Sequence, residues 1–175
     1  MDLRCRTVHH RRRPQIGAGS GNDRNAPSFR YPSVLTVKLR AHHLLCVLTY
    51  VGKGYSPAFT ANYDSIVARL VAGEDILIEE GPDDICQPLL ATTEPHCLRD
   101  SVIERDIKAM HDVADLLGRP LQVGDVMTLD AVTVGKFRDA FTKGQTRRAC
   151  IGCEWFELCS VISKSGYQDT RLKFE

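Results

Sequence analysis

No run of about 18 apolar residues occurs in the 175-residue chain, so no transmembrane helix is expected. The start lacks the charged, apolar and small-residue succession of a secretory leader, and none is expected. Phosphate-binding loops are missing as well. Gly52-Lys53-Gly54 has neither the upstream glycine nor the downstream Ser/Thr that a nucleotide loop needs. The glycines at 17, 19 and 21 stand alone, with no strand before them and no helix after them. There is no G-x-S-x-G elbow, no H-E-x-x-H zinc helix and no C-x3-C-x2-C radical motif. No repeat of fixed period is visible. What remains is a chain with 43% hydrophobic residues, enough for one packed core.

Seven cysteines are present, an odd number that suits a disulfide framework poorly. With no export signal the expected setting is a reducing cytoplasm, where clustered thiols act as ligands or catalysts. Charge is unevenly spread. Residues 1–35 carry seven arginines against Asp2 and Asp23, a net +5, which leaves residues 36–175 at −4. The folded part therefore offers no general nucleic-acid surface.

The first 35 residues are rich in Gly, Ser, Asn and Arg and show no helical or strand period. They read as a disordered basic extension, and Cys5, His9 and His10 are set aside with it. A domain is expected over residues 36–175. Residues 41–51 form a compact apolar helix that carries Leu44, Leu45, Val47, Leu48 and Val51. Ser56 and Pro57 start a second helix, with Phe59, Tyr63, Ile66, Val67 and Leu70 on its inner face. Ile76 to Glu79 reads as a short strand, with Val37 to Arg40 as a second candidate.

Ser101 and Glu104 suggest a capping box for a helix burying Ile103, Ile107, Met110, Ala114 and Leu117, closed by Gly118. Thr128 is the expected cap of another helix with Leu129, Val132, Phe137 and Phe141. A last helix is expected from residue 155 to 163. The fold class is mainly α: one small domain of about five helices, one or two short strands, and a cysteine-rich metal site built from loops.

The densest chemistry lies in Cys150-Ile151-Gly152-Cys153-Glu154-Trp155-Phe156-Glu157-Leu158-Cys159. A C-x2-C turn aims two thiolates at one centre, and a third can return from the first turns of a following helix. Three thiols do not close a tetrahedral site or a cubane cluster. Cys86 and Cys97, both in loops, are the preferred additional donors. Cys46 lies in an apolar helix, where a lone thiol reads first as a small buried hydrophobe. The expected ligand pool is therefore Cys86, Cys97, Cys150, Cys153 and Cys159.

Spacing alone leaves iron–sulfur and zinc balanced, since His96 beside Cys97 completes a Cys3His set. Asp83 and Asp84 read as solvated turn residues, and Trp155 as core. His42 and His43 precede Cys46 on one short helix, which suggests either imidazoles bonded to backbone, Asp83 or Asp84, or a thiol enzyme built on Cys46 with His42 or His43.

Taken together, Leu39-Arg40-Ala41-His42-His43-Leu44-Leu45-Cys46, Gly52-Lys53-Gly54-Tyr55-Ser56, Gly81-Pro82-Asp83-Asp84-Ile85-Cys86, His96-Cys97 and the terminal trio resemble a short bacterial and archaeal family, domain of unknown function 1284. The resemblance spans roughly residues 37–172. It implies iron–sulfur binding, with Cys86, Cys97, Cys150, Cys153 and Cys159 in the shared pattern and Cys46 in the opening motif. Many relatives carry a further cysteine soon after the position of Cys86; Gln87-Pro88-Leu89-Leu90 has none here.

The expectation is thus a cluster-binding protein, 4Fe–4S favoured, in electron transfer or redox sensing with a redox partner protein. A structural zinc module is the alternative. Neither nucleic-acid nor membrane association is expected.

Overall fold

The computed structural model describes residues 36–92 and 95–174. The basic extension, with Cys5, His9 and His10, lies outside the described residues. Three short strands form one sheet: β1 (Val37–Leu39), β2 (Ile76–Ile78) and β3 (Val126–Met127), in the order β1-β2-β3. β1 and β2 are parallel, with Val37 opposite Ile76 and Leu39 opposite Ile78, while β3 runs antiparallel to β2. The third strand is too short to leave a periodic signal in sequence. Val37, Leu39, Ile76 and Ile78 are all buried on the central core.

The described residues also form five α-helices: α1 (His43–Cys46), α2 (Pro57–Val71), α3 (Asp100–Leu117), α4 (Ala131–Thr142) and α5 (Phe156–Lys164). The domain is mainly α, as its periodicity indicates. α2 begins as expected: the Ser56 hydroxyl accepts the Phe59 N–H at 3.1 Å, and Pro57 occupies the first turn. Its buried side chains are Phe59, Tyr63, Ile66, Val67 and Leu70, the stripe read from sequence.

Other elements depart from the pattern for identifiable reasons. The apolar run 41–51 makes a single α-turn, continues as a 3-10 turn over Val47–Thr49, and then extends at Tyr50. α4 is capped by Asp130, which accepts the Thr133 N–H at 2.7 Å, because the Thr128 hydroxyl instead donates to Asp75. Val132 is then turned to solvent, while Phe137 and Phe141 enter the core.

α3 shows the largest departure. Its N-cap is Arg99, and no side chain caps the helix, so the Ser101–Glu104 box does not form. Ile103 and Ile107 are exposed, and Val102, Ala109, Asp112 and Val113 are buried instead. The helix is turned so that Arg105, Asp106 and Asp112 face inward. Asp106 meets Arg40 and His42, Arg105 donates to the Gly152 carbonyl, and Asp112 pairs with Arg148. Paired buried charges override the apolar stripe here.

Candidate metal centre and adjoining cavity

The terminal cysteines are placed by local geometry. A 3-10 turn over Arg148–Cys150 leads into Gly152 at φ 73°, a left-handed conformation that glycine adopts without strain. The chain can then fold back so that the Cys153 N–H reaches the Cys150 carbonyl at 3.0 Å. α5 follows at once and carries Cys159 in its second turn, with its N–H on the Trp155 carbonyl at 2.9 Å. Arg147 braces this turn. It donates to the Phe156 carbonyl and the Ser160 hydroxyl, and its guanidinium stacks over the Phe141 and Phe156 rings.

Cys46, at the end of α1, arrives from the opposite side of the sequence. The Thr49 hydroxyl, three residues later, lies 3.3 Å from the Cys46 carbonyl and 3.2 Å from the Cys159 sulfur. Burial of the thiol drives the Cys46 pKa well above the ordinary value, and the neighbouring Cys159, Cys150 and Cys153 add to the rise in that order. Burial, with repulsion from Cys159 and Cys153, pushes Cys150 up to about 11 against the pull of Arg147. Burial and Cys153 likewise raise Cys159. The four thiols act on one another, and Cys46, Cys150 and Cys159 do not ionise easily without a compensating cation.

Cys86 and Cys97 form a second thiol group. Both are buried, on the 3-10 turns Asp84–Leu89 and His96–Leu98, and they are close enough for each thiol to shift the ionisation of the other. The Cys86 thiol, opposed by burial and helped by the charges of His43 and Arg40, holds Cys97 down to about 7. Cys86 is driven up in turn.

Two carboxylate–imidazole pairs stand beside this second group. His43 Nδ1 lies 2.6 Å from Asp83 Oδ2, and His42 Nδ1 lies 2.7 Å from Asp106 Oδ1. Asp83 is buried, not a solvated turn residue. Its Oδ2 also accepts the Arg40 N–H, and its Oδ1 accepts the Ile85 and Cys86 N–H groups as the cap of the 84–89 turn. Burial raises the Asp83 pKa, but His43 and these bonds outweigh it and hold the carboxylate below its usual range. Arg40 is 1% exposed, bonded to Asp106 at 2.7 Å and to the Cys97 carbonyl at 2.9 Å. Burial, then the His43 charge, pushes His42 down to about 4, so its imidazole is neutral at pH 7.

One cavity of about 120 Å³ joins the two groups, and Cys46, Cys86, Cys97, Cys150, Cys153 and Cys159 all line it. Aromatic side chains line another part of it. The Tyr55 hydroxyl donates to Glu154 at 2.5 Å and accepts from Trp155 Nε1 at 2.9 Å, and the Tyr55 ring packs on His96. Trp155 is thus a half-buried cavity residue and not core. Tyr63 also lines the cavity. Its hydroxyl is buried with no hydrogen-bond partner among the described residues, near Cys46, Asp83 and Cys159.

All five cysteines expected as ligands thus reach one cavity, in two groups, and Cys46 joins the terminal trio. Asp106 and Tyr63 are the functional positions that sequence reasoning missed. Asp106 sits among other charges of α3, and Tyr63 is one more aromatic on a core stripe.

The profile of the family described as "Protein of unknown function (DUF1284)" matches residues 54–159, and the chain belongs to that family. The matched span holds Cys86, Cys97, Cys150, Cys153 and Cys159; Arg40 to Cys46 lies just before it. No curated protein and no solved structure matches the chain.

Proposed function

We propose that this protein binds a 4Fe–4S cluster through Cys46, Cys150, Cys153 and Cys159 and uses it for electron transfer or redox sensing. The carrying observation is the convergence of Cys46 on the terminal trio, more than a hundred residues away in sequence, around a cavity. Four thiols lining one cavity suit a cluster, whose irons take thiolate ligands.

Two further features favour that donor set. Cys46, Cys150 and Cys159 are held protonated by burial and by the neighbouring thiols, a penalty that a bound cationic centre removes. The Tyr63 hydroxyl supplies an unpaired O–H beside the sulfurs, suited to sulfide or thiolate.

A single tetrahedral zinc with bonds of about 2.3 Å holds its sulfurs about 3.8 Å apart. Among the described residues, the donor group drawn within 4.8 Å of one another is His43, Asp83 and Cys86, and no three of these four sulfurs make such a group. A cubane spreads its ligands more widely.

The cluster would supply one-electron chemistry when bound. The chain's own residues hold it, exclude bulk water and aim hydrogen bonds at its sulfurs. Cys46, Cys153 and Cys159 are only half-buried, which places the centre near enough to the surface to exchange electrons with a redox partner protein. A reducing cytoplasm suits six unpaired thiols, and none of the described helices is long and apolar enough to cross a membrane.

The test is metal and sulfide analysis of anaerobically purified protein. A brown protein with about four irons and four acid-labile sulfides per chain is expected. Colourless protein with stoichiometric zinc would replace this reading with the structural-zinc one.

A further inference from the structure

We infer that Cys86 and Cys97 are a redox-active dithiol that closes to a disulfide by exchange with a low-molecular-weight disulfide, with the Asp83-oriented His43 imidazole as the proton acceptor. The inference uses none of the four thiols assigned to the cluster and stands independently of it.

The first ground is placement. The two thiols are buried near neighbours on the 84–89 and 96–98 turns, and both open onto the cavity. They sit on separate short turns, so closing the bond would tie the 84–89 turn to the 96–98 turn without touching a helix.

The second ground is the surrounding charge. His43 lies against the pair: one of its ring nitrogens, a carboxylate oxygen of Asp83 and the Cys86 sulfur are all within 4.8 Å of one another. The Arg40 guanidinium is beside Cys86 and donates to the Cys97 carbonyl. A thiolate at Cys97 therefore has the Cys86 thiol and the Arg40 guanidinium near it, an environment in which thiols attack disulfides.

The third ground excludes the competing reading of the same cluster as a cation site. Asp83 accepts four hydrogen bonds, from the Arg40, Ile85 and Cys86 N–H groups and from His43 Nδ1. A carboxylate offers about four acceptor positions, so Asp83 has none left for a metal. It holds and orients the imidazole, in the arrangement of a base supported by a carboxylate.

The exchange balances as follows. Cys97 gives its thiol proton to solvent, and its thiolate attacks one sulfur of R–S–S–R, breaking that bond and releasing one RS⁻, which takes a proton back from solvent and leaves as RSH. Cys86 passes its thiol proton to His43 and attacks the Cys97 sulfur, expelling the second RS⁻. That leaving group takes the proton from His43. The two protein thiols are oxidised to one disulfide, and R–S–S–R is reduced to two RSH.

Full-length protein, purified anaerobically, is equilibrated with 2-hydroxyethyl disulfide, quenched with acid, alkylated and digested after Lys and Arg. Cleavage at Arg69 and Arg99 leaves both thiols on one peptide, residues 70–99. The expected result is that peptide two hydrogens lighter and carrying no alkyl group. Cys86→Ser should trap the hydroxyethyl adduct on Cys97, and His43→Gln should slow closure by roughly a hundredfold, the lower end for a lost general base.

Peptide 70–99 still doubly alkylated in the folded wild-type protein would overturn the inference. So would an adduct on Cys86 in Cys97→Ser with none on Cys97 in Cys86→Ser. Wild-type mapping decides the matter even where a variant fails to fold. Iron measured on the same samples keeps this outcome separate from that of the cluster.

Discussion

The Thr49 hydroxyl lies 3.2 Å from the sulfur of Cys159, bridging residues 110 positions apart and joining the turn after Cys46 to the start of α5. A hydroxyl aimed at a thiolate stabilises the charged ligand and draws the two halves of the site together. Thr49→Val keeps the shape and removes the bond. It should lower stability by about 1 kcal/mol, read from urea unfolding, leave iron content unchanged, and make the bound cluster harder to reduce. An unchanged potential would show that the bond does not reach the ligand sulfur.

Tyr63 presents the converse case, a buried hydroxyl with no hydrogen-bond partner among the described residues. Tyr63→Phe should leave the metal-free protein as stable or slightly more so. The gain in thermal stability on loading iron and sulfide should shrink, by about 1 kcal/mol. Identical gains in the two proteins would mean that the hydroxyl does not serve the cluster.

Arg40 and Asp106 form a buried pair at 2.5 Å that also fixes His42. Arg40→Met strands the carboxylate and should cost roughly 3–5 kcal/mol. Adding Asp106→Leu should recover part of that, with a coupling of about 2 kcal/mol in the double-mutant cycle. Additive losses would contradict the pairing.

His42 stays neutral in the fold down to about pH 4, because burial, then His43, opposes its charge. Unfolded, it titrates near 6.5. Its contribution is therefore complete above pH 6.5 and lost progressively as pH falls towards 4. Between pH 7.5 and 5 the loss should be about 2 kcal/mol. His96, also shifted down by burial, acts in the same sense, whereas Asp83 and Asp106 lose their contributions only below the usual carboxylate range. Urea midpoints for wild type and His42→Gln separate the two histidines, and the variant should show a flatter pH slope.

Much of the fold was legible. Ser56 and Pro57 mark the start of α2, its apolar stripe is the buried one, and Gly118 ends α3 in the left-handed conformation. The inward face of α3 was not legible, because Ile103 and Ile107 look like core until Arg40, His42, Gly152 and Arg148 bring partners for Arg105, Asp106 and Asp112. The terminal trio announced itself by spacing. The role of Cys46 did not, because a thiol among leucines looks apolar until the fold brings residues 150–159 beside it. The pairing of Cys86 and Cys97 was equally hidden, since nothing in their spacing separates a shared metal from a thiol pair.

The most direct test of the account compares Cys46→Ser with Cys97→Ser, each purified anaerobically from iron-replete cells and assayed for iron and acid-labile sulfide. Cys46→Ser should lose most of both, with Cys97→Ser retaining wild-type content. Full iron in Cys46→Ser together with loss in Cys97→Ser would return the centre to the loop cysteines and contradict the four-thiol assignment.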